Sequence, residues 1–119
     1  MHELAVTESI IEIATRNAAE AGASRVLAIH LVVGDLSSIV DDSVQFYFDF
    51  LSEGTMAAGA RLMFERVSVE LACAACGWHW QPVSADWQCP HCGQRQAKVV
   101  KGREFYVDSI EVEDTDDDT

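Results

Sequence analysis

The chain has 119 residues, 49% of them hydrophobic, and its 20 acidic and 8 basic side chains give a formal charge of −12. That length supports one domain, or one small domain with a module too short to bury a core without a metal, and no apolar run reaches the roughly eighteen residues a membrane-spanning helix needs. A surface so negative repels nucleic acid and anionic lipid, and attracts cations and basic protein patches.

From Leu4 to Ala21 the apolar residues Leu4, Val6, Ile10, Ile11, Ile13, Ala14, Ala18 and Ala21 share one side at helical spacing, while Glu8, Glu12, Arg16 and Glu20 face away. The spacing predicts an amphipathic helix closed by Gly22 at C′. Met1, His2 and Glu3 then project from its first turn, beside free backbone N–H groups and the α-amine. No basic or apolar leader opens the sequence, so a cytoplasmic location is expected.

Arg25 to Val33 alternates as a strand covered on both faces, and His30 among its valines reads as a packed, hydrogen-bonded side chain. Gly34-Asp35 ends it. Asp42 with Gln45 three residues on forms a capping box, opening a second helix in which Val44, Tyr47, Phe48 and Leu51 make the stripe. Phe46 and Phe50 broaden that stripe and read as core. Gly54 closes the helix.

Arg61 to Leu71 predicts a strand whose phase slips by one residue near Glu65-Arg66, and Glu104 to Glu113 predicts another with a like slip. Matching slips suggest neighbouring strands, joined as a long hairpin and bent at a common point. Between them, residues 72–97 carry Cys73-Ala-Ala-Cys76-Gly77 and Cys89-Pro-His-Cys92-Gly93, two CxxC pairs twelve residues apart that use every cysteine of the chain. Matched CxxC pairs at this range suit tetrahedral S4 coordination, with zinc the default occupant; disulfides, a redox pair and a rubredoxin-like iron site are the competing readings. Each trailing glycine meets the need of a metal knuckle for positive φ. A closed four-thiolate shell leaves no open position for a substrate, so the metal is expected to be structural. His79 and His91 flank the cysteines, and either could replace a thiolate. Trp78, Trp80 and Trp87 offer this small module apolar area, or a partner some anchors.

The resulting expectation is an α+β fold: a three-stranded mixed sheet with two helices on one face, and a zinc ribbon inserted between strands 2 and 3. Residues 1–71 and 98–119 form the main domain, with an acidic tail, 114–119, expected to be disordered. No nucleophile–base pair or phosphate loop appears, so an enzyme is not expected.

Met1-His2-Glu3 opening the first helix, the Val33-Gly34 strand end and the paired knuckles Cys73/Cys76 and Cys89/Cys92 together resemble the HypA/HybF hydrogenase maturation factors, over nearly the whole chain. That resemblance implies a nickel metallochaperone with Ni²⁺ as cargo at Met1, His2 and Glu3, and structural Zn²⁺ at Cys73, Cys76, Cys89 and Cys92. It also implies a GTPase partner and delivery to a hydrogenase large subunit. Asp42, beside Asp41, matches the acidic residue associated with nickel in some members; the acidic end lies outside the family pattern. The terminus has its own chemistry: an α-amine, a deprotonated amide and an imidazole can chelate in one plane, with the next amide or a carboxylate completing it, as suits Ni²⁺ or Cu²⁺. The expected partners exclude nucleic acid and membrane, and the expected state is a monomer or weak homodimer. A zinc-ribbon adaptor and a rubredoxin-like iron carrier are the alternative functions.

Overall fold

A computed structural model of the chain describes residues 3–114. Its backbone contacts divide it into two compact units. The first comprises residues 1–32, 38–65 and 106–119, and the second residues 33–37 and 66–105.

The first unit contains helix α1, Glu3–Glu20, which buries Val6, Thr7, Ile10, Ile11, Ala14 and Ala18. The three-and-four spacing of these small and branched side chains makes one continuous stripe, and the one polar member, Thr7, satisfies its hydroxyl by donating to the Glu3 carbonyl. Gly22, at φ 75°, ends the helix as expected. Strand β1, Ala23–Gly34, follows and is the central strand of a mixed three-stranded sheet whose one face carries both helices. Its centrality accounts for the run Ala28, Ile29, Leu31, Val32 and Val33, all buried. His30 Nε2 donates to the Glu111 carboxylate at 2.7 Å, the hydrogen-bonded role its setting suggested.

Helix α2, Asp41–Leu51, differs from the sequence reading in two ways. Its N-cap is Val40 rather than Asp42, and no side chain caps it from within the helix. Gln45 bonds forward to Asp49 instead of back to Asp42. The position a capping-box glutamine would fill is taken by α1, whose Glu3 carboxylate accepts the Val40 N–H at 3.2 Å. Second, the buried stripe is Val44 and Phe48, whereas Phe46 and Phe50 are 64% and 48% exposed. These two rings sit about 200° around the helix from Val44 and Phe48 respectively, on the side away from the core.

Strand β2, Arg61–Val67, and the strand expected at 104–113 do not pair. The sheet order places β1 between them. The expected hairpin and common bend are therefore wrong, although both slips are real. In β2 the exposed pair Glu65-Arg66 interrupts the alternation, and in the last strand Asp108-Ser109 does so between inward-facing Phe105, Val107 and Ile110, Val112.

The slip in β2 marks the passage into the second unit. The single strand expected over 61–71 is two strands, for Glu70–Cys73 forms β3 in a separate sheet. There β3 lies between β4, His79–Trp80, and β5, Ala97–Lys101, pairing antiparallel with both. Leu71 faces Trp80 on one side and Val99 on the other. The final strand, β6, is Phe105–Asp114. Ser24 Oγ donates to the Glu113 carbonyl near one end of β6, and the Gly34 amide donates to Glu104 just before its other end, so β6 runs antiparallel to β1. Within the second unit, the end of β1 and the residues after it are held by backbone bonds: Gly34, Asp35 and Leu36 donate to Glu104, Val67 and Gly102. A Cβ on Gly34 would stand 2.1 Å from the Gly102 carbonyl oxygen, so only glycine fits there. The acidic tail beyond Asp114 lies outside the described residues.

Candidate metal centre

Cys73 closes β3, and Cys76 follows on the turn that leads to β4. Cys89 and Cys92 occupy the matching turn before β5. The two knuckles are built alike. In each, the trailing glycine, at φ 82°, donates its N–H to the carbonyl of the first cysteine: Gly77 to Cys73 at 2.8 Å, Gly93 to Cys89 at 3.0 Å. This closes a turn that aims amides at sulfur. His91 and Cys92 donate to Cys89 Sγ at 3.4 Å, and the amides of Cys76 and Ala75 do the same for Cys73.

The four sulfurs lie within 4.8 Å of one another, and they are the one such group of potential metal ligands among the described residues. The Cys73–Cys92 and Cys76–Cys89 sulfur separations are 3.6 and 3.7 Å. A tetrahedral zinc with Zn–S bonds of about 2.3 Å requires sulfur separations of about 3.8 Å, whereas a disulfide requires about 2.05 Å. The cysteines are free and spaced for a metal. Cys73 and Cys89 are buried and Cys76 and Cys92 exposed, so the ion would sit at the edge of the second unit with its shell closed by thiolates.

The thiols divide electrostatically. Burial opposes ionisation of Cys89, but the amides of Cys92 and His91 and the neighbouring thiols outweigh it and draw the group down to about 7. Cys73 is lowered for the same reasons. The Trp78 amide pulls Cys76 down, yet burial and three adjacent sulfurs push it up to about 12. Cys92 is raised as well, against the pull of the Gln94 amide, by burial and by the sulfurs of Cys73 and Cys89. Cys73 and Cys89 are thus shifted toward the thiolate and Cys76 and Cys92 toward the thiol, and a bound dication would displace the protons that remain.

Neither flanking histidine joins the cluster. His79 Nδ1 bonds the Glu70 carboxylate at 2.9 Å, an interaction that holds Glu70 below its ordinary range. His91 stacks on Trp78, ring centroids 4.5 Å apart and 10° from parallel. That stack covers one face of an indole that is otherwise 46% exposed.

Of the terminal triplet, Met1 and His2 lie outside the described residues, and Glu3 begins α1. The Glu3–Val40 hydrogen bond brings the start of α1 against the start of α2, where Asp41 and Asp42 occupy the first turn. Asp42 is exposed in the first turn of α2. The Val40 amide was not legible as part of this region, because a backbone N–H leaves no mark in the sequence.

The profile of a family described as hydrogenase/urease nickel incorporation, metallochaperone, HypA, matches residues 1–112. The hydrogenase maturation factor HypA of Dehalococcoides mccartyi is 41% identical over 114 residues, covering 96% of each chain. That of Geobacter metallireducens is 41% identical as well, covering 95% of this chain and all of its own. The chain belongs to the HypA family. Among solved structures, that of the nickel metallochaperone HypA from Helicobacter pylori superposes with a TM-score of 0.67 at 22% identity, covering 96% of this chain and 99% of its own. At that identity the likeness speaks for the fold, which is the HypA fold of two helices on a mixed sheet with a four-cysteine metal site.

Proposed function

We propose that this HypA-family chain is a nickel metallochaperone of hydrogenase maturation. In this reading Ni²⁺ is its cargo, and Zn²⁺ at Cys73, Cys76, Cys89 and Cys92 holds the second unit in shape. The match to a nickel-incorporation family over residues 1–112 carries the reading. Nickel binds at Met1, His2 and Glu3, through the Met1 amine, the His2 amide and imidazole, and a nitrogen of Glu3. The Glu3 carboxylate is engaged with Val40, which favours the Glu3 amide over its side chain as the fourth donor. Four nitrogens in a plane suit Ni²⁺. Asp42, one turn from that contact, is the candidate for an additional oxygen ligand.

The protein turns over no substrate. It works in the cytoplasm, as a monomer or weak homodimer, with a GTPase that passes the metal to the hydrogenase large subunit, and it engages neither nucleic acid nor membrane. No helix among the described residues is long and apolar enough to cross a membrane, and the charge of −12 leaves little scope for the counterion release that drives nucleic-acid binding. The test is the nickel content of the large subunit made in cells carrying the intact chain or His2→Ala. Nickel-replete subunit with the first and nickel-poor subunit with the second is expected; equal content in both would remove the terminus from delivery.

A further inference from the structure

The side of α2 turned away from the core is the least expected surface of the molecule. Phe46, Tyr47 and Phe50 form a mutual edge-to-face cluster, with ring centroids 5.4, 5.7 and 6.0 Å apart, and Phe46 and Phe50 are largely in solvent. Val40, at the head of the same helix, is 53% exposed. Helices of small domains place such residues inward, and a clustered aromatic face left outside marks a contact surface. Its borders carry one sign. Asp42, Asp49 and Glu53 are exposed around the rings, and no Lys or Arg occurs anywhere from residue 26 to residue 60.

That charge pattern selects among occupants. A second copy would bring this patch against itself, setting the Asp42, Asp49 and Glu53 border of one chain against the same acidic border of the other with no basic residue between them. A lipid surface needs basic residues beside the aromatics to hold anionic headgroups, and α2 has none. We infer that the Phe46–Tyr47–Phe50 face of α2 docks another protein, one presenting an apolar groove or helix face bordered by Lys and Arg. The aromatic rings supply the desolvated centre of the contact, and the carboxylates set orientation and association rate. Neither the Met1-His2-Glu3 triplet nor the zinc ligands take part.

The test uses a fluorescently labelled amphipathic helical peptide of leucine and lysine, titrated into the full chain, beside a leucine–glutamate peptide of the same pattern. The intact chain should bind the lysine peptide, more weakly as salt rises, with amide shifts confined to residues 40–53. Phe46→Ser/Phe50→Ser, which leaves every charge in place, should weaken binding at least tenfold, and Phe46→Leu/Phe50→Leu should retain most of it. Circular dichroism of both doubles should match the intact chain, as both positions are exposed. The inference is overturned if the lysine peptide does not bind, if the serine double binds it equally well, or if the glutamate peptide binds as tightly. It is also overturned if the intact chain self-associates through this face, seen as sedimentation that the serine double abolishes, or if the face binds phosphatidylserine vesicles, since a second copy or a lipid would then be the occupant.

Discussion

Glu3 offers nickel two different donors, and its hydrogen bond to Val40 separates them. Glu3→Ala removes the tether between the helix starts, at a cost of about 1 kcal/mol, the range of a lost cap or hydrogen bond. Its amide is retained, so nickel affinity should change by no more than a few fold. Glu3→Pro is tolerated at a first helical position yet has no amide proton to lose, so it should abolish the four-nitrogen site and its visible absorption. Loss of nickel binding in the alanine variant, which keeps the amide and lacks the carboxylate, would reverse the assignment of donors. The sulfur site also has a consequence at this scale. Cys76, at about 12, and Cys92, raised, are thiols at pH 7, so zinc binding at that pH should release at least those two protons. The sign follows: zinc competes with protons, so affinity is greatest at high pH and falls as pH is lowered. Calorimetry in buffers of different ionisation enthalpy counts the protons, and a buffer-independent enthalpy would contradict the account.

At the scale of elements, what could be read from the sequence was what local periodicity encodes. The α1 stripe, the central strand and the two knuckles with positive-φ glycines follow from spacing alone. Non-local pairing does not. The slips at Glu65-Arg66 and Asp108-Ser109 were correctly located, but nothing in their sequence says that β1 lies between the two strands. The second sheet escaped because β4 is two residues long and β5, Ala-Lys-Val-Val-Lys, alternates too weakly to stand out. Phe46 and Phe50 read as core because they broaden the helical stripe, when their position around α2 puts them outside. Gly34 gives the sharpest test at this scale. The carbonyl it approaches is backbone and cannot swing aside, so Gly34→Ala should cost at least about 2 kcal/mol and lower the melting temperature by roughly 8 °C. An unchanged melting temperature would mean that the Gly34–Gly102 approach is absent in solution.

At the scale of the whole molecule, the chain joins a unit whose core is hydrophobic to a unit whose turns depend on a metal. Zinc binding contributes on the order of 10 kcal/mol to modules of this size. Cys73→Ala or Cys92→Ala should therefore unfold the 72–97 ribbon and lose the zinc, while α1, α2 and the β2-β1-β6 sheet keep their dispersed amide spectrum. A variant with full zinc stoichiometry would contradict the four-cysteine site. The central claim is that the N-terminus carries nickel independently of that zinc. It is tested most directly by titrating Ni²⁺ into the zinc-loaded chain beside the same chain extended by Gly-Ser, which displaces the Met1 amine while leaving every side chain present. The intact chain should bind one nickel tightly and release it as pH falls through the imidazole range near 6.5, and the extended chain should lose that binding with its zinc unchanged. Equally tight one-to-one binding by the extended chain would show that the amine is no ligand and contradict the account.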